Sequence, residues 1–167
     1  MNICGYIRES VNEGTGLRAV VFISGCRHGC PGCFNTESWS FSAGEVFTPE
    51  RQEEVIREAA DNPLLEGLTL CGGDPFFSAG ECIPFVQRYR ETCPGHTVWA
   101  YTGYEFEALL KRSAMRRLAE LCDVIVDGSF VEREKDVSLR FRGSRNQRLI
   151  DVQASLQSGV TVCMDMI

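Results

Sequence analysis

Arg18-Ala-Val-Val-Phe-Ile-Ser24 runs through Gly25 into Cys26-Arg-His-Gly-Cys30-Pro-Gly-Cys33. The first seven residues are a short, apolar, β-branched run ended by a glycine, which is the pattern of a buried strand feeding a loop. The loop gathers three thiols into eight residues. The arrangement recurs downstream. Gly67-Leu-Thr-Leu-Cys71 reads as a second buried strand, and Gly72-Gly73-Asp74-Pro75 after it has the composition of a turn. His96 to Thr102 gives a third strand and Cys122 to Val126 a fourth, followed by Asp127-Gly128.

Helical stretches separate these strands. Thr48-Pro49 opens one that Asp61-Asn62-Pro63 stops, a second covers Ala79 to Thr92, and a long third covers Glu105 to Leu121. Near-continuous apolar strands alternating with helices predict an α/β fold with a mostly parallel sheet. Ligands of such folds collect at the carboxyl ends of the strands. Here those ends carry the cysteine loop, the Gly72 to Pro75 turn, Tyr101-Thr102-Gly103-Tyr104 and Asp127-Gly128, so the unusual features converge on one rim.

The chain has 167 residues, 44% hydrophobic and 24% charged, which predicts a single domain over 1–167 with a real core. A formal net charge of −6 argues against a protein built to grip nucleic-acid phosphates. Apolar runs such as Ala19 to Ile23 are too short to cross a bilayer, and the N-terminus lacks a signal pattern. The expected setting is the cytoplasm, with neither nucleic acid nor membrane as a partner.

Nine cysteines suit metal or redox chemistry better than a disulfide framework. Thiolates are the ligands that iron–sulfur clusters require, and a four-iron cluster normally takes four. The loop supplies Cys26, Cys30 and Cys33, leaving one iron open for chemistry. The competing reading is a zinc-bound interaction module with His28 or Cys71 as fourth ligand, although zinc sites usually pair two close ligands with two more and no second pair is visible. His28, between two of the cysteines, is better placed to donate a hydrogen bond to the site than to ligate. Cys71, Cys82 and Cys122 read as small buried hydrophobes; Cys4, Cys93 and Cys163 have no assigned role.

The Cys-x-x-x-Cys-x-x-Cys spacing at the end of a first strand resembles the signature of the radical S-adenosylmethionine superfamily. Gly72-Gly73-Asp74-Pro75 resembles that superfamily's Gly-Gly-Glu-Pro motif. The resemblance implies one [4Fe-4S] cluster on the three cysteines, with no catalytic residue beyond these ligands. It also implies that S-adenosylmethionine is bound at its amino group by Gly72, Gly73, Asp74 and Pro75 and cleaved to a 5′-deoxyadenosyl radical. The residue before the third cysteine is commonly aromatic in the superfamily and is Gly32 here, with Phe34 a substitute against the adenine. Asp127 reads equally as a ligand-side group or a capping aspartate.

Four stretches are similar to the activating proteins of anaerobic (class III) ribonucleoside-triphosphate reductases: Ser24 to Asn35 with Trp39, Gly72 to Pro75, Val126 to Phe130, and Phe141 to Arg148. That resemblance implies a shortened, partial (βα) barrel, a glycyl radical made on the reductase, and a flavodoxin- or ferredoxin-type electron donor. It also raises Arg140, Arg142, Arg145 and Arg148 from a solvated charge run to a docking surface for the reductase. A pyruvate formate-lyase-type activase is the alternative with the same chemistry.

Overall fold

The structure is a computed structural model that describes residues 1–165; Met166 and Ile167, the last two residues of the expected domain, lie outside the described residues. Eight strands form one sheet in the order β3-β1-β2-β4-β5-β6-β7-β8. The strands are β1 (Asn2–Ser10), β2 (Arg18–Ile23), β3 (Glu45–Val46), β4 (Gly67–Gly72), β5 (Thr97–Tyr101), β6 (Val124–Asp127), β7 (Arg148–Asp151) and β8 (Val162–Cys163). The helices are α1 (Pro49–Asp61), α2 (Ala79–Thr92), α3 (Phe106–Leu109), α4 (Ser113–Glu120) and α5 (Val152–Ser158).

The four strands read as buried are parallel neighbours, β2-β4-β5-β6. On either side the ladders β3-β1-β2 and β6-β7-β8 are antiparallel. The expectation of a mostly parallel sheet is therefore corrected: the parallel strands are the centre of a mixed sheet, and antiparallel ladders outnumber parallel ones. The added strands escape the apolar pattern because they are half-exposed, as β1 is with Arg8 and Glu9, or short, as β3 and β8 are at two residues and β7 is with two apolar residues between Arg148 and Asp151. The sheet ends at β3 and β8 without pairing them, so it is open and not a closed barrel.

Alternation along the central strands explains their continuous apolarity. Val21, Ile23, Leu68, Leu70, Val98, Ala100 and Ile125 join the core beneath the helices. On the opposite face Trp99, Val124, Val126 and Leu149 form a second cluster, with Tyr101 and Phe141 packed against it. Both faces are thus covered, as parallel strands require.

Local signals set the helix boundaries. Thr48 caps α1 by accepting from the Arg51 amide at 3.2 Å, Pro49 occupies the first turn, and Asn62 ends it. The expected long helix from Glu105 to Leu121 is two helices. Asp127 pins the first amide of α3, Phe106 N, at 2.7 Å, and the backbone leaves helical geometry at Arg112 before α4 restarts with Met115, Leu118 and Ala119 buried. Among the described residues no helix is long and apolar enough to cross a membrane.

At the amino end of the parallel strands sits Arg18, fully buried. Its guanidinium donates to Thr69 Oγ1, Thr97 Oγ1 and the carbonyls of Thr15, Leu68 and Thr97, all within 2.8–3.0 Å, and lies over the Trp99 ring. Burial pulls it down to about 10, and among the described residues no carboxylate pairs with it. A buried cation persists only when every donor is satisfied. Arg18→Met, which keeps the volume and removes the donors, should cost on the order of 3 kcal/mol by leaving buried carbonyls unpaired; urea unfolding measures this, and an unchanged midpoint would refute it.

Candidate functional site

The ends of β2 and β4 are locked together. Gly73 N donates to Ile23 O at 2.8 Å and Asp74 N to Gly25 O at 2.9 Å. A Cβ on Gly73 would stand 2.6 Å from Gly25 O, so only glycine permits this approach. The cysteine loop is also strapped to the segment after it, through Gly25 N to Ser38 O and Cys26 N to Trp39 O. Asn35 closes the circuit: its amide approaches Cys33 Sγ at 3.4 Å and its side chain donates to Gly72 O at 3.4 Å.

Asp74 is the junction of these loops. Its side chain is 1% exposed and accepts four hydrogen bonds. His28 Nε2 at 2.7 Å, Thr102 Oγ1 at 2.8 Å and Gly103 N at 3.0 Å reach Oδ2, and Phe76 N reaches Oδ1 at 2.9 Å. These donors come from the cysteine loop, the end of β5 and the turn after β4. Pro75, buried beside it, opens the short 3-10 helix Pro75–Ser78. His28 is held further by ring contacts with Phe77 and Tyr104, at centroid distances of 5.1 and 4.7 Å.

Cys26, Cys30 and Cys33 are all half-buried on this loop. Burial pushes the Cys26 thiol up to about 11, so in the absence of a cation it holds its proton, and metal binding there must displace it. Among the described residues no group of three or more His, Cys, Asp or Glu converges as one metal ion requires. A four-iron cluster takes each thiolate on a separate iron, and three soft, partly exposed sulfurs on a loop fastened at both ends suit it. His28, one of the two fourth donors of the zinc reading, directs its Nε2 to Asp74, and Cys71, the other, is buried. Gly32 has φ +74°, and a Cβ there would meet the Glu132 carboxyl at 2.9 Å, which explains why no aromatic precedes Cys33.

Beside the loop lies a cleft of about 440 Å³ bordered by Cys33, Phe34, Gly72, Gly73, Tyr101 and Phe130. Phe34 is largely exposed at its mouth, 5.3 Å from the Phe130 ring, with the Lys135 ammonium 4.8 Å above it. Phe22 and Cys71, from the inner face of the sheet, also border the cleft.

The other expected site residues have contacts within the chain. Asp127, buried, accepts from Phe106 N and from Arg148 Nε at 3.0 Å and Nη2 at 2.5 Å. Arg148 also pairs with Glu107, holding that carboxyl down at about 2. Arg142 donates to Gln147 O, Arg145 pairs with Asp136, and the Arg140 guanidinium lies over the Phe141 ring. Each of the four arginines expected to dock a partner has a contact within the chain, and Arg140 and Arg145 remain exposed. Cys71, Cys82, Cys93 and Cys122 are buried, Cys4 lies 3.0 Å from Ser24 Oγ and Cys163 is exposed. The sequence reading placed Thr102 on the rim and Phe34 against the adenine but gave no individual role to Asn35 or Phe130.

Comparison with known proteins agrees with this layout. Residues 12–150 match the family model described as a 4Fe-4S single cluster domain. The anaerobic ribonucleoside-triphosphate reductase-activating protein of Haemophilus influenzae is 41% identical over 150 residues, which is 88% of this chain and 96% of that protein. The chain belongs to this activating-protein family. The Escherichia coli K12 protein of the same name is 38% identical over the same shares, and that of Enterobacteria phage T4 is 34% identical over 82% of this chain and 85% of its own.

Asp74→Ala strands four donors and should cost on the order of 3 kcal/mol. It should also lower the iron bound per chain after anaerobic reconstitution, because the cysteine loop loses its tether. Wild-type stability together with wild-type iron content would refute the tethering role. Gly32→Tyr should cost about 1–2 kcal/mol through its positive φ, read from the thermal midpoint.

Proposed function

We propose that this protein is a radical S-adenosylmethionine activase, a single domain over 1–167, that makes a glycyl radical on an anaerobic ribonucleoside-triphosphate reductase. Cys26, Cys30 and Cys33 would hold one [4Fe-4S] cluster with three protein ligands. The observation that carries the reading is the lock between the cysteine loop and the Gly72 to Pro75 turn, beside an aromatic cleft of about 440 Å³. Relatives over 88% of the chain are named for activating that reductase.

When bound, the cluster supplies the single electron that breaks the bond between the sulfonium and the 5′ carbon of S-adenosylmethionine. The chain's own residues bind, orient and exclude water. The Asp74 carboxylate is already committed to four donors, so the methionyl ammonium would meet the backbone of Gly73 and of Gly72, whose carbonyl also accepts from Asn35. Phe34 and Phe130 offer ring faces to the adenine. Tyr101 and Phe22, from the sheet, keep the floor dry. His28 and Asp127 support the site at one remove, through Asp74 and through Phe106 with Arg148. The electron would come from a flavodoxin- or ferredoxin-type donor.

The test is anaerobic reconstitution with iron and sulfide, followed by dithionite and S-adenosylmethionine. The wild-type preparation should be brown and bleach on reduction. It should form 5′-deoxyadenosine and leave a glycyl radical signal on the reductase. Cys26→Ala, Cys30→Ala and Cys33→Ala should each bring both products to background; wild-type cleavage in all three would overturn the assignment. A colourless preparation that binds zinc would favour the interaction module instead.

A further inference from the structure

One edge of the sheet is unfinished. β3 pairs with β1 only at Asn2 and Ile3, and among the described residues no strand pairs with the outer edge of β1 beyond them. Two clefts follow that edge. The larger, of about 930 Å³, is bordered by the consecutive residues Tyr6 to Glu9 and by the end of α1. The smaller, of about 270 Å³, is bordered by the consecutive residues Cys4 to Ile7. Neighbouring strand residues point to opposite faces, so a void touching four in a row borders the backbone edge itself. The smaller cleft shares Phe22, Asn35 and Gly72 with the ligand cleft, which makes one trough from the strand edge to the cysteine loop.

The opposite side of the ligand cleft is covered. Phe141 packs on Trp99 at 5.4 Å, and Gly143 lies against Phe130 and Phe34. A polypeptide reaching the cleft therefore has its clear approach along β1. Ile7 is 40% exposed there.

We propose that the outer edge of β1, Gly5 to Glu9, pairs as a sheet with an extended segment of the reductase beside its radical-bearing glycine. This rests on the function proposed above and adds how the substrate backbone is held. Backbone pairing supplies affinity without demanding a particular side-chain sequence, and it leaves an adjoining glycine free to reach the cleft. Five paired residues span about 17 Å. The borders of the two clefts carry Glu9, Glu37, Glu58 and Asp61 against Arg8, so the paired segment has Lys or Arg on its flanks.

Amide hydrogen exchange on the full-length, reconstituted protein tests this, with and without intact reductase under anaerobic conditions. Residues 5–9 should become protected in the complex. Ile7→Glu, which places a carboxylate in the acidic trough, should weaken binding of the reductase about tenfold or more. Val160→Glu, an equal change at an exposed position, should leave it at wild type. A complex in which residues 5–9 stay unprotected, or equal affinities for the two variants, would overturn the edge-pairing proposal alone. Protection that rises with this protein's own concentration, reductase absent, assigns the edge to a second copy and also overturns it. Failure of the wild-type protein to bind the reductase removes both this proposal and the function on which it rests.

Discussion

The carboxylate of Asp74 constrains the active rim. A charge this deeply buried is tolerated only when its lone pairs are filled, and the donors that fill them belong to segments far apart in sequence. His28 comes from within the cysteine loop, Thr102 and Gly103 from the end of β5, and Phe76 from the turn after β4. Satisfying one acid thus brings three strand ends to one place and leaves the cysteines little freedom to drift. The acid that stands in the glycine-turn motif is thus also the fastening point of the cysteine loop, and the two preceding glycines border the cleft.

Arg18 performs the matching task at the other end of the same strands. It fills the space under the sheet's inner face with a cation whose donors end on the first residues of β4 and β5 or just beside them. The two buried charges work by the same logic at opposite poles: each converts the cost of desolvation into a fixed spacing between neighbouring strands. Between them the inner face carries Phe22, Cys71, Trp99 and Tyr101, apolar enough to form a dry floor.

The parallel centre was legible because burial on both faces leaves an unmistakable apolar run, and the ranges of β2, β4, β5 and β6 fall within two residues of those read from sequence. α1 and α2 were legible through Thr48-Pro49 and Asn62-Pro63 and through unbroken periodicity. The flanking strands were not, because an antiparallel strand with one wet face or two residues carries too little pattern. The break at Arg112 was hidden for a different reason: the backbone turns extended there without a glycine or proline to mark it. In the site, the three cysteines and the glycine turn stood out by spacing, whereas Asn35 and Thr102 are common residues that acquire a role only when the fold brings Gly72 and Asp74 to them.

The arginine-rich stretch carries counter-charges that are remote in sequence. Read alone, Arg133 to Arg148 is a basic run in an acidic chain. In the fold Arg145 meets Asp136 and Arg148 meets Asp127 and Glu107. Gln147 accepts from the amides of Gly143 and Ser144 and donates to Gly128 O, while Asn146 donates to Ser129 O. Polar side chains here knot the 128–147 segment to itself and to the end of β6. That knot sets Phe130 beside Phe34 and Phe141 on Trp99. The segment therefore roofs the cleft on the β6 side, and the asymmetry follows from sheet order: strands β7 and β8 continue the covered side, whereas on the other side, among the described residues, β3 covers β1 only at Asn2 and Ile3. The reaction proposed above, which would have to protect a radical from water and still admit another protein's backbone, would be served by such a shape, roofed on one side and open along one strand.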